Sequence, residues 1–333
     1  LASSIPLIRA SALVPSQLWL QAQGFPAAET FRTAGLPACP SKAPNRLVSF
    51  HGFFGFLAEQ ACVHGPDFGA RISTPEALME LGAPAIAVRA SRTVREALLR
   101  AGRIFHRHAS HVFFLVKQVP TGLEVTAGIP ITAPPETHHQ GQQHIAGFVC
   151  ALGLVANGLP LPARVRMVPH PVHGLDHLRR YLGDDLQEGA GQRLHMHIPN
   201  PALDLALPWE PVECLAEGLD SLESVTRGSL ADSARILIKG MVEDGNPEMD
   251  RLALCAGRSR RTMQRLLANE GTSFAELLDS IRREAALAQL TNSSTSMSDI
   301  AGDVGYRSAS SLTRAVRRWT ATNPRRVRGE ITA

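Results

Sequence analysis

One order of residues occurs twice in the last hundred positions of this chain: a short apolar helix signal, a glycine, a serine, and a second helix signal with an arginine-bearing side. In PEMDRLALCAGRSRRTMQRLLAN, from about Pro247 to Asn269, Met249, Leu252, Ala253 and Cys255 give a short helix with an apolar stripe. Gly257 supplies a turn residue that tolerates positive φ. Ser259 can cap the next helix by accepting from its free N–H groups. Met263, Leu266 and Leu267 are then expected to face inward, leaving Arg260, Arg261, Gln264 and Arg265 outside. In SMSDIAGDVGYRSASSLTRAVRRW, from about Ser296 to Trp319, Met297, Ile300, Ala301 and Val304 form the stripe. Gly305 turns and Ser308 caps. Leu312, Val316 and Trp319 face inward, while Ala309, Ser310, Thr313 and Arg314 face out and Arg317 and Arg318 are placed for phosphates. Arginine suits guanine and glutamine suits adenine in a major groove, so these outward faces have the chemistry of recognition helices.

A single helical hairpin with a glycine turn is a common structural device. Two of them joined by a rigid spacer are far more specific. Between them, Phe274, Leu278, Ile281, Ala285 and Ala288 step by three and four, as on one helix face, with Thr272 or Ser273 as cap. From Ser273 to Leu290 such a helix is roughly 25 Å long at about 1.5 Å per residue. That length suits two recognition helices in successive major grooves, about 34 Å apart along one face of a duplex.

Charge follows the same division. Residues 1–228 balance at 18 basic and 18 acidic groups, whereas residues 229–333 carry 16 basic and 12 acidic, so the whole excess of +4 lies in the last third. Fifteen of those 16 bases are arginine. An arginine-rich, basic segment fits a polyanionic partner; composition alone leaves this even with an arginine preference inherited from a GC-rich genome.

The segment from about Leu230 to Arg328 resembles the DNA-binding domain of the AraC/XylS family of bacterial regulators. The resemblance rests on SRRTMQRLL (Ser259–Leu267), DIAGDVGYRSASSLTRAVRRW (Asp299–Trp319) and NPRRVR (Asn323–Arg328). It covers about a hundred residues. Phenylalanine is usual in that family where Val316 stands, glycine where Ala321 stands and tyrosine where Val327 stands; these departures bear on packing more than on base contact. The resemblance implies DNA contacts from Arg261, Gln264 and Arg265 in the first unit and from Ala309, Ser310, Thr313 and Arg314 in the second. Ala309 and Ser310 offer little hydrogen bonding, so the first unit is expected to carry more base specificity.

Residues from about Ile5 to Val116 read mostly helical, as in PEALMELG (Pro75–Gly82) and SRTVREALLRAGRIFHRHAS (Ser91–Ser110), the latter behind a serine cap. Strands follow at His111–Val119 and Gly122–Pro130, joined by a Pro-Thr-Gly turn, then a helix at Gln140–Pro160 that stops at Asn-Gly. A strand at Ala163–His170, a helix at Gly174–Gly183 and a strand at Gln192–Asn200 complete a mixed region. Prolines at 199, 201, 208 and 211 open a loosely built stretch, with a helix from about Val212 to Thr226. The fold class expected is an α+β N-terminal domain (1–210), a linker (211–229) and an all-α domain with two helix-turn-helix units (230–330). IPLIRA, HGFFGFLAEQ and VRMVPHPVHGLDHLRRYLG are similar in order to the sensor domain of the ornithine- and virulence-regulator subgroup of that family. The resemblance implies a domain that binds a small-molecule effector and mediates homodimerisation.

Hydrophobic residues at 44% and charged residues at 19% are enough to bury a core. The five cysteines (Cys39, Cys62, Cys150, Cys214 and Cys255) form no C-x-x-C pair, which argues against a disulfide framework and fits a reducing compartment. No apolar run reaches the roughly 18 residues of a membrane span, and the opening LASSIPLIRASALVPSQLWL lacks the order of a signal peptide. The expectation is a soluble cytoplasmic protein without membrane association. No G-x-S-x-G, P-loop or dinucleotide fingerprint appears; neither catalytic residues nor a cofactor are assigned. Histidines cluster in sequence (His138 and His139; His195 and His197; His106, His108 and His111), but without zinc spacing, and surface or core roles are favoured over a metal. Cys255 reads as core rather than as a thiol sensor. The function expected is a sequence-specific regulator that binds double-stranded DNA, activates through RNA polymerase and responds to an effector. A repressor, an effector-independent regulator acting by protein contact, or an enzymatic or metal-binding N-terminal domain fused to a DNA anchor are the alternatives.

Overall fold

Two apolar stretches inside the expected helical region pair as strands. Leu7–Arg9 (β1) runs antiparallel to Leu47–Ser49 (β2), with Ile8 opposite Val48. At three residues each they are too short for alternation to show in the sequence. Helices make up most of the remainder of that region. Ser49 accepts from the Gly52 N–H at 3.2 Å and starts α1, Phe50–His64, whose Phe50, Phe53, Phe54, Phe56 and Leu57 are buried. Val94–Ile104 forms α2. Its cap is Thr93, whose hydroxyl accepts from the Glu96 N–H at 3.2 Å, and not Ser91; Ser91 is buried and donates instead to the Ala87 carbonyl at 2.7 Å.

The computed structural model describes residues 4–128, 131–189, 191–212, 223–225, 228–292 and 295–329. They fall into two compact units, 6–227 and 228–333, the latter together with 1–5. The expected helix at Val212–Thr226 lies almost wholly outside the described residues. In the first unit, Phe113–Val119 (β3), Gly122–Gly128 (β4), Arg164–Met167 (β5), Leu186–Glu188 (β6) and Arg193–Pro199 (β7) form a sheet in the order β3-β4-β7-β5-β6. Only β5 and β6 pair in parallel. Gly122, the first residue of β4, has no room for a side chain: a Cβ there would lie 1.9 Å from the Ile198 carbonyl oxygen. Alternation sends Leu194, Met196 and Ile198 inward from β7. They pack with Ala146, Val149 and Leu152 of α3, Pro135–Asn157, which ends at Gly158 (φ 79°).

The second unit is all helical among its described residues. A reciprocal cap opens α4, Leu230–Glu243: Ser229 accepts from the Asp232 N–H, and the Asp232 carboxylate from the Ser229 N–H. Then come α5 (Met249–Cys255), α6 (Arg260–Asn269), α7 (Phe274–Asn292), α8 (Met297–Asp303), α9 (Ala309–Thr320) and α10 (Pro324–Gly329). The turns within the two pairs fall at Gly257 (φ 60°) and Gly305 (φ 76°). On α7 the expected stripe is corrected. Ile281 is buried and Phe274, Leu278 and Ala285 are half-buried, but Ala288 is exposed, and the far half buries Ala286 and Leu290. A strict three-four spacing drifts around a straight helix by about 20° per seven residues. The residues of α8 and α9 that pack there select the shifted face.

Candidate DNA interface

Each helix pair is built from local signals. Ser259 accepts from the Thr262 N–H and Ser308 from the Ser311 N–H, both at 3.2 Å, so each cap begins its second helix at the residue after it. Neither first turn carries an acidic group, leaving the positive helix ends uncompensated. Met263 and Leu267 anchor α6, with Leu266 only half-buried rather than facing fully inward. Leu312, Ala315 and Val316 anchor α9, with Trp319 half-buried. Cys255 is in the core, where burial pushes its thiol up to about 11.

Arg260, Arg261, Gln264 and Arg265 are all exposed along α6. Arg260 pairs with Asp250 of α5 at 2.7 Å. Among the described residues, the side chains of Arg261, Gln264 and Arg265 have no hydrogen-bond or ionic partner, so their donors are open to a ligand. On α9, Ser310, Arg314, Arg317 and Arg318 are exposed and Ala309 and Thr313 half-buried. The Thr313 hydroxyl donates to the Ala309 carbonyl at 2.8 Å, and Arg314 reaches the Ser311 hydroxyl at 3.5 Å. Arg318, read from sequence as a phosphate contact, pairs with Asp279 of α7, which also accepts from the Trp319 indole N–H at 2.9 Å.

The residues that hold the second pair on α7 escaped the sequence reading. Arg282 donates to the carbonyls of Val304 at 3.0 Å and Gly305 at 2.8 Å, and its guanidinium lies over the Tyr306 ring at 4.9 Å. Glu270, just past α6, accepts from the Leu230 and Ala231 N–H groups at the start of α4. Partners separated by 22 to 40 positions leave no periodic trace.

The histidines regroup. His195 and His197 share one face of β7, as alternation predicts, beside Thr126 and Thr121. His139 donates from Nδ1 to the Val168 carbonyl at 2.7 Å and meets His177 Nε2 to Nε2 at 3.1 Å, a pairing that no spacing signals. No group of three or more histidine, cysteine or acidic side chains among the described residues is arranged to hold a metal. No helix among them is long and apolar enough to cross a membrane.

A helix-turn-helix domain family matches residues 252–330. The chain is 27% identical over 290 residues, 85% of each protein, to the HTH-type transcriptional regulator VirS of Mycobacterium tuberculosis. It is 30% identical over 130 residues, 39% of this chain and 36% of the relative, to the ornithine utilization regulator of Pseudomonas aeruginosa. The crystal structure of transcriptional regulator CdpR from Pseudomonas aeruginosa covers 96% of this chain and 98% of its own, with 20% identity and a TM-score of 0.42. Both glycine turns and both arginine-faced helices lie inside the matched segment, and the likeness to a transcriptional regulator extends well beyond it: residues 252–330 are an AraC-type helix-turn-helix domain, in a chain similar over most of its length to DNA-binding transcription regulators.

Proposed function

We propose that this regulator is an effector-responsive activator that reads two neighbouring major-groove segments of double-stranded DNA, α6 in one and α9 in the other. In this reading residues 230–330 bind DNA, 1–210 bind the effector and dimerise, and 211–229 link them. It acts in the cytoplasm as a homodimer that contacts RNA polymerase. Arg261, Gln264 and Arg265 read base edges from α6. Ala309, Ser310, Thr313 and Arg314 face the groove from α9. Arg260, Arg317 and Arg318 lie beside phosphates, the first and last after exchanging their carboxylate partners for DNA.

The observation that carries the reading is the contrast between the two helices. The α6 trio has no competing partner, whereas the Thr313 hydroxyl is already committed to its own helix. Base specificity therefore falls mainly to α6. DNA selection with the purified full chain should return half-sites about two turns long. On the selected operator, Arg265→Ala should weaken binding by about 1–3 kcal/mol and relax one base position, and Thr313→Ala should change it little. Unchanged affinity for Arg265→Ala with abolished binding for Thr313→Ala would overturn the assignment. Transcription from the same operator in a purified system, with and without the chain, separates activation from repression.

A further inference from the structure

The first unit contains an apolar cavity of about 100 Å³, between α1, α2 and α3, whose walls include Phe53, Phe54, Leu98, Phe148 and Leu152. Protein interiors are close-packed and seldom keep voids much larger than a water. The residues around this one are bulky and fully able to fill space, yet they leave it open.

Two polar side chains reach the wall, His108 and His144. His144 is engaged: its Nδ1 lies 3.2 Å from the Ser73 hydroxyl and 3.3 Å from the Gly69 carbonyl. His108 is not. It is 3% exposed, and its Nδ1 has no hydrogen-bond partner. A buried polar atom left unpaired is uncommon and calls for a partner. Burial, with Arg9 and His144 nearby, holds His108 neutral, its pKa lowered to about 3. Arg9 itself is bound by the carbonyls of Arg107, Asn45 and Glu223 and does not line the cavity. An anion there would lose its hydration and find no facing cation.

We infer that this cavity takes a small neutral molecule, an apolar ring or short chain of about six or seven heavy atoms with one hydrogen-bonding group directed at His108. An enclosed apolar cavity of about 150 Å³ admits benzene; this one is smaller, at about 100 Å³, but partly open, so a single ring can seat in it with an edge outside the enclosed volume. The inference deepens the effector reading and rests on it only for its regulatory consequence.

Calorimetric titration of the full chain near pH 7.5 with phenol, benzene and benzoate tests it. Phenol should bind saturably, benzene several-fold more weakly, and benzoate not at all. Ala101→Leu, which adds volume at the wall, should abolish binding of both phenol and benzene. His108→Phe should keep benzene binding and remove the advantage of phenol, a result that also shows the variant to be folded. Absence of saturable binding by phenol and benzene, benzoate as the tightest probe, or wild-type binding by a folded Ala101→Leu chain would each overturn the inference. Operator affinity measured with and without phenol separates the two readings: phenol binding with unchanged DNA affinity and transcription sinks the effector role and leaves the ligand class standing.

Discussion

Ala321 ends α9 in the left-handed conformation, φ 55°, at the position where the family resemblance leads one to expect glycine. A Cβ there costs about 1–2 kcal/mol, and the side chain is exposed, so little packing offsets it. Replacement by glycine removes the strain but frees the unfolded chain by about 0.4–1 kcal/mol. Ala321→Gly should therefore stabilise the second unit by ~0.5 kcal/mol, read as a shift of the urea midpoint. Three histidines set an opposite liability. Burial lowers His108 to about 3 and His139 and His144 to about 4, all from an ordinary 6.5. Their neutral forms favour folding fully above pH 6.5. That contribution is lost as the pH falls from there toward 4, and for His108 toward 3, because the unfolded chain takes up protons that the folded chain refuses. Each amounts to roughly 3–5 kcal/mol. Urea melts at pH 7.5, 6 and 5 should show the decline, and His139→Gln, which can still donate toward the Val168 carbonyl, should make it shallower.

At the scale of elements, capping and turning were readable because they act within three or four residues. Ser259, Ser308, Gly257 and Gly305 all stand where the helices break. The capping of α2 shows the limit of that reading. Ser91 and Thr93 are both cap residues by type, and only the burial of Ser91 against the Ala87 carbonyl decides for Thr93. The attachment of the second helix pair to α7 is of another kind. Arg282 reaches two carbonyls of the α8–α9 turn and the Tyr306 ring. Arg282→Ala should destabilise the second unit by about 1–2 kcal/mol, since charged hydrogen bonds to a half-buried turn are lost. It should also weaken operator binding, with footprint protection fading over the half read by α9 and persisting over the half read by α6. Equal loss over both halves would place the role of Arg282 in overall folding instead of in orienting α9.

For the whole molecule, the charge excess confined to the last third has a direct consequence in salt. Each phosphate neutralised releases counterions, and log K falls with log salt by about 0.9 per contact. Arg317 is exposed on α9 and has no side-chain partner among the described residues. Arg317→Ala should lower affinity across all sequences alike and reduce the salt slope by about one, measured by titrating operator and non-operator DNA from about 50 to 200 mM salt. Helix ends, turns and the outward side of α6 were legible in the residue order because each depends on neighbours within one helical turn. The far half of α7, the ion pair that occupies Arg318, the meeting of His139 with His177 and the apolar cavity at His108 were not. They depend on groups far apart along the chain, and their burial and geometry are set when packed elements exclude water and leave each polar group only the partners that lie beside it.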